Sequence, residues 1–339
     1  MDLHVLWYIL IGALFTGYFI LEGYDYGLGI LLPFLSRDDR ERRLFLNAMG
    51  PFWLGNETWL VAAIGAIFAA FPAWYGTFLS SFYLLIVALL ISLMLRGAGI
   101  EFRNHHRSPR WRAFWDWIIF GGSLLPGLIW GVIAAAVFQG LPLDAHRHYT
   151  GTFWQLFSPL ALIWGLTFVA LFALHGALFL SVRLDASVTQ RISRAARMLW
   201  LPVVLLIVLL AIVGSISSIA LQHLLVTPWI APFGLLVLLA LLLAGFSLRR
   251  QQWMQALMLT SLAMAFAALA LGLSLFPTVL PSSLQAAWNL TIENTGASSS
   301  SLVILSWCGL VVLPIVIGYQ SFCHWLFRKR LNEQSPLHF

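Results

Sequence analysis

The sequence predicts an all-α polytopic membrane protein: nine transmembrane helices, arranged as two four-helix bundles plus one peripheral helix. Three observations predict it. Hydrophobic residues make up 60% of the chain and charged residues only 9%, where a soluble domain carries roughly a quarter charged residues. Apolar stretches of about 20 residues, the length a bilayer requires, recur from one end of the chain to the other. Basic residues fall almost entirely after every second stretch, the signature of loops that stay on one side of a membrane.

The first span covers 6–32 and turns amphipathic towards its end. It is long, has no basic segment ahead of it and leads into a second apolar run, so it reads as a retained span and not a cleavable signal. The second, 50–72, opens as GPFWLGNETWL and is interrupted by Asn56, Glu57 and Thr58. The remaining spans are 77–96, 114–139, 157–182, 199–222, 229–248, 254–277 and 301–327. The whole chain, 1–339, reads as one membrane domain, with 6–139 as the first four-helix bundle, 157–277 as the second and 301–327 as the ninth helix. A short echo supports the two-bundle reading. Phe19-Ile20-Leu21-Glu22-Gly23 late in span one resembles Phe172-Ala173-Leu174-His175-Gly176 late in span five, and a basic loop follows each.

The basic residues fix the count. Clusters follow spans one (Arg37 to Arg43), three (Arg96 to Arg112), five (Arg183 to Arg197), seven (Arg249, Arg250) and nine (Arg328 to Arg330). Of the 19 Lys and Arg, only Arg147 lies on the other side. That asymmetry puts the N-terminus outside and the C-terminus in the cytoplasm. An eight-span chain without the second span would scatter the charges over both faces. The net charge of +6 is therefore a topology signal, and no nucleic-acid partner is expected.

The outer loops carry little charge, and the longest, between spans eight and nine, is rich in Ser, Asn and Thr. Tryptophans such as Trp7, Trp74, Trp154 and Trp229 sit near span ends, as an interfacial aromatic belt requires. Cys308 and Cys323 fall on one helix roughly 22 Å apart, out of disulfide reach. No Cys-x-x-Cys pair and no phosphate-binding glycine loop is present.

The chemistry rests on acids at depth. A carboxylate in hydrocarbon costs about 3 kcal/mol on insertion scales, so it faces a protein interior or a water-filled path. Asp25 lies about eight residues, or roughly 12 Å, from the cytoplasmic end of span one, and Glu57 lies roughly 10 Å into span two. The two sit at matching depth on adjacent antiparallel helices, and Glu22 shares a helix face with Asp25. The expected proton pathway is Glu57, Glu22 and Asp25, an inlet from the cytoplasmic side. Asp25 has a second reading, a structural ion pair with Arg96 that locks spans one and three together. His175 is the histidine well inside a span and reads as a hydrogen-bonded packing residue. No second histidine at its depth forms a bis-histidine haem-ligating pair, and no metal site is expected.

At this point the motifs LWYILIGALFTGYFILEGYDYGLGILLPFL, RDDRERR, NAMGPFWLGNETWLV and FAAFPAWY, followed by RGAGIEFR, WDWIIFGGSLLPGLIWGV, QGLP and FPTVLPSS, come together. In that order they resemble subunit II of the cytochrome bd quinol oxidases over nearly the whole chain, most closely in 5–142. The resemblance implies a respiratory complex of the bacterial cytoplasmic (inner) membrane that oxidises quinol and reduces oxygen to water. It implies haems b and d in a partner, the haem-carrying subunit I, and no cofactor on this chain. It also implies contact with membrane lipid and the quinone pool, and leaves room for a bound quinone or lipid and a small single-helix accessory subunit. One departure stands out. The family has Trp-Asp-Gly-Asn where this chain has Trp53-Leu54-Gly55-Asn56, so the family's proton-uptake aspartate is missing and Glu57, one turn on, is expected to take its place.

The function expected is that of a haem-free second subunit of a bd-type terminal oxidase, scaffolding the haem subunit and contributing a cytoplasmic proton route. The alternatives are a proton-coupled secondary transporter and a purely structural assembly subunit. Inverted repeats with broken helices, the mark of the former, are not evident.

Overall fold

The computed structural model describes residues 2–332 and 334–337. Among them, nine helices are long and apolar enough to cross a membrane, and the only sheet is a two-stranded ribbon. Helix α1 (Leu3–Leu35) starts on Asp2, whose carboxylate accepts from the backbone N–H of His4 and so fills an orphan donor of the first turn. Helix α2 (Asp39–Met49) is short and starts on the Asp38 side chain in the same way. Helices α3 (Trp53–Ala70), α4 (Pro72–Ser81) and α5 (Tyr83–Phe102) follow with almost no loop between them. Next come α6 (Pro109–Gln139), α7 (Pro159–Arg183), α8 (Ala186–Ser217), α9 (Ile219–Val226), α10 (Ala231–Arg249) and α11 (Trp253–Leu275). Strands β1 (Thr278–Leu280) and β2 (Leu290–Thr291), the single turn α12 (Ile292–Thr295) and α13 (Ser299–Leu326) complete the chain. The nine long helices are α1, α3, α5, α6, α7, α8, α10, α11 and α13.

Three spans differ most from the sequence reading in where they start or stop. The third starts at Tyr83 and not at 77, because Pro72 starts a separate helix and the backbone turns at Phe82. The fourth starts at Pro109, ahead of the apolar run, with the proline at the first helical turn. The sixth starts at Ala186, since the turns carrying Arg191, Arg194 and Arg197 are already helical, and it stops at Ser217 where α9 begins. Hydropathy marks where a helix is apolar, not where its hydrogen bonds begin.

Helices α1 and α7 sit at the centre. α1 packs on α3, α6, α7 and α11, while α7 packs on α6, α8 and α11; α5 pairs with α6 and α10 with α11. Two glycine contacts set the closest crossings. A Cβ added to Gly27 would lie 1.8 Å from the Phe172 carbonyl oxygen, and one on Gly131 would lie 2.3 Å from the Gly165 nitrogen. Backbones this close leave no room for side chains, the device by which membrane helices gain packing contact. α13 is peripheral: Leu302 and Gln320 are its only buried residues.

The two ends of the bundle are closed differently. At the end bearing most of the arginines, the buried Asp116 takes both Arg103 (2.6 Å) and Arg42 (2.7 Å), and Asp39 takes Arg103 and Arg112. At the opposite end the loops are knitted by backbone. Leu141 and Pro281, Ser283 and Leu141, and Ala297 and Ala70 are joined N–H to carbonyl, and Arg147 donates to the Asn294 carbonyl.

Candidate functional site

Glu22 and Asp25, three residues apart on α1, are both fully buried. Their helix face meets α3 and α5, which bring Asn56, Glu57 and Arg96 to the same depth. Arg96 is itself buried, with its guanidinium 4.7 Å above the ring of Tyr26. Its Nη2 donates to Glu57 Oε1 at 2.6 Å and to Glu22 Oε1, so one cation serves two carboxylates from two helices. Glu57 is the acid of the three with an open side; its side chain is 24% exposed. Beside it on α3, Leu54 and Val61 face outward.

Asp25 is not held by Arg96, which corrects the expected ion pair. Arg96 is taken by Glu22 and Glu57, and Asp25 instead accepts from Asn56 Nδ2 at 2.7 Å. The helix-face rule placed Glu22 and Asp25 together but not their rotation relative to α5; the guanidinium reaches the first acid and stops there. Asn56 spends its other N–H on Tyr24 Oη (2.8 Å), and its carbonyl oxygen accepts from Gln320 Nε2 of α13 at 2.6 Å. Four buried polar atoms of the patch have no hydrogen-bond partner in the protein: Glu22 Oε2, Asp25 Oδ1, Arg96 Nε and Arg96 Nη1. Beyond Tyr26, its hydroxyl pairs with that of Tyr18, which also accepts from Trp130 Nε1.

The three expected pathway acids thus meet in one cluster, together with residues the sequence did not single out. Asn56 had registered as an interruption of span two. The sequence singles out neither Tyr24 nor Gln320, and shows His324 only as a histidine near a span end. Gln320 carries one faint signal, an amide roughly two turns before the end of the ninth span with a histidine one turn on.

His175 lies apart from the patch. Its Nδ1 pairs with Thr260 Oγ1 at 2.7 Å and its Nε2 with the Ile20 carbonyl at 3.2 Å. Both ring nitrogens are paired within the protein, as a hydrogen-bonded packing residue requires. Among the described residues no three His, Cys, Asp or Glu side chains group as metal ligands. A cavity of about 520 Å³ lies between α7, α8, α9, α10 and α11, lined by apolar side chains including Trp164, Phe168, Leu221 and Met264.

Comparison with known proteins places this geometry in a family. The family model described as cytochrome bd terminal oxidase subunit II matches residues 3–327. The chain is 34% identical to the cytochrome bd ubiquinol oxidase subunit 2 of Bacillus subtilis (strain 168), over 99% of each protein. It is 30% identical to the cytochrome bd-I ubiquinol oxidase subunit 2 of Escherichia coli (strain K12), over 98% of this chain and 96% of that one. In fold it resembles a chain of the bd oxidase from Geobacillus thermodenitrificans, with a TM-score of 0.80, 20% identity, and coverage of 96% of this chain and 99% of the other.

Proposed function

Because the chain belongs to the cytochrome bd terminal oxidase subunit II family, we propose that it is the haem-free subunit of a quinol-oxidising, oxygen-reducing complex and lends that complex a proton inlet. The chain is a multi-pass protein of the bacterial inner membrane and a subunit of an oxidoreductase. The haems b and d belong to the partner, subunit I, against which this chain packs. The arginine-rich end faces the cytoplasm, since nearly all the cations lie there. Helices α1 to α6 form one unit with four spans and α7 to α11 a second; α13 stands outside both. The apolar cavity within the second unit suits the expected lipid or quinone tail.

The observation that carries the proton role is the shared guanidinium. Three carboxylic acids and one arginine occupy one buried site, so the acids outnumber their cation and cannot all be paired. Such a cluster holds charge that a single proton can rebalance. Glu57, with its open side, is the entry member; Glu22 and Asp25, whose second oxygens lack protein partners, lie behind it. Subunit I covering the outward face of α3 between Leu54 and Val61 would take Glu57 out of the lipid and join the patch to the haem side. No covalent chemistry falls to this chain: its groups hold and pass protons.

The complex, purified from native membrane in mild detergent, tests the reading. Reduced-minus-oxidised bands of b-type and chlorin-type haem should travel with a second, larger chain. Proton uptake from the cytoplasmic side should slow with oxygen turnover when Glu57 is neutralised. A colourless chain purified alone, with proton-linked solute uptake, would favour the transporter instead. Full turnover and full proton uptake in the Glu57→Gln complex would reduce the acids to structural groups.

A further inference from the structure

Helix α13 presents large apolar side chains outward along nearly its whole length, among them Ile304, Trp307, Val311, Ile315 and Phe322. Gln320 breaks that pattern: it is 8% exposed and points inward. A buried amide in a membrane helix is retained only where its hydrogen bonds are met. The approach is close enough that a Cβ on Gly55 would lie 3.0 Å from Gln320 Oε1, so the glycine of the Trp-Leu-Gly-Asn stretch makes room for this side chain.

What Gln320 touches forms a ring, and the ring has one proton arrangement. The Gln320 backbone carbonyl can only accept, so His324 Nδ1, 2.9 Å away, carries a hydrogen. In the neutral ring Nε2 is then an acceptor, and the Tyr24 hydroxyl at 3.2 Å donates to it. The Tyr24 oxygen in turn accepts from Asn56 Nδ2, and the Asn56 carbonyl accepts from Gln320 Nε2. The N–H of Asn56 left over points at Asp25 Oδ2. The His324 ring is steadied by stacking on Phe52 at 4.4 Å.

We infer that Gln320 is a positioning residue for Asp25, acting through Asn56, with His324 closing the ring that holds Tyr24. An asparagine amide can turn over and offer either its N–H groups or its carbonyl to a neighbour. With Gln320 donating to the carbonyl, the N–H side is committed to Asp25. Without it the amide is free to turn, and Asp25 would face an oxygen that repels its anion. The ninth helix thereby reaches the proton patch without contributing an acid to it. The inference rests on the reading of Asp25 as a pathway acid, and its test separates the two.

The test reads Asp25 itself in the assembled complex. Its carboxyl or carboxylate infrared bands are obtained by subtracting the Asp25→Asn spectrum from the native one, and again in a Gln320→Met background with the double variant. Gln320→Met should move the Asp25 bands and lower oxygen turnover roughly fivefold, the size of one neutral hydrogen bond. Gln320→Glu, whose protonated carboxyl can still donate, should bring both back towards native. Ser306→Ala is the control: it removes the bond from Trp7 Nε1 that fastens the other half of α13 (3.0 Å), and should move neither. Should Gln320→Met fail to assemble with its haem bands, Gln320→Asn, one methylene too short, is read in the same way. Unmoved Asp25 bands in the variant, or an equal shift in Ser306→Ala, would overturn the inference. Moved bands in a complex whose Asp25→Asn form keeps full turnover would uphold the positioning and sink the pathway role of Asp25.

Discussion

Glu22 and Glu57 share one nitrogen, Nη2 of Arg96. They lie on different helices, α1 and α3, and the guanidinium reaches them from a third. The contact is at once the polar joint of the three helices and the reason their charges are linked.

Removing that cation should cost more than removing either acid. Arg96→Leu strands two carboxylates, and breaking a buried pair costs about 3–5 kcal/mol. The expected result is a complex that loses its haem bands at a much lower temperature or does not assemble. Arg96→Lys keeps the charge on a compact ammonium without the planar fork, and should fall between. Thermal melts followed by haem absorbance measure both.

Glu57→Gln keeps shape and removes charge. Oxygen consumption and cytoplasmic-side proton uptake, followed with a pH-indicator dye, should fall together by roughly a hundredfold or more, the range attributed to one positioned proton-transfer group. Leu54→Asp in that background restores an acid one turn earlier on α3 and should recover part of the loss. Equal uptake in native and Glu57→Gln complexes would count against an entry role for this residue.

The crossing of α1 and α7 tolerates no side chain. Gly27→Ala places a methyl group against the Phe172 carbonyl, and the expected outcome is loss of assembled complex from the membrane. Gly12→Ala, on the same helix but with nothing within 4 Å, should express as the native protein does. Yields of the haem-bearing complex decide between them.

Acid should open one loop before it disturbs the spans. The Asp144 carboxylate accepts from the backbone N–H groups of His146 (2.9 Å) and His148 (2.8 Å), and these bonds hold its pKa below the ordinary 3.8. A depressed carboxylate contributes stability above its unfolded pKa and loses it as the pH falls through the folded one. Protection of the His146 and His148 amides from hydrogen exchange should therefore persist near neutrality and fade only below the ordinary carboxylate range. Asp144→Ala should abolish it at every pH.

Much of this was legible in the sequence, and the part that was not has a physical cause. Nine spans and the depth of Glu22, Asp25 and Glu57 follow from hydropathy and a rise of 1.5 Å per residue. The partner of Asp25 does not, because axial depth says nothing about how far one helix is rotated against another. Arg96 lay at the right level for either α1 acid, and rotation gave it to Glu22. Gln320 stands 264 positions from Asn56, and no periodicity joins them. The starts of α6 and α8 were missed for the opposite reason: their first turns are too polar to register as membrane, yet their backbone bonds are already made.

The sparse fastening of α13 bears on how the protein is made. This helix leaves the ribosome after the other eight spans, and it brings with it the amide that meets Asn56. Until it docks, the Asn56 carbonyl lacks its donor and Tyr24 lacks its acceptor, in a chain otherwise able to fold. A polypeptide cut short before Ser299 would insert, cross the bilayer eight times and remain chemically unfinished at its centre. Synthesis order thus makes the last helix a molecular certificate of completion, issued beside the largely buried cluster of Glu22, Asp25, Glu57 and Arg96.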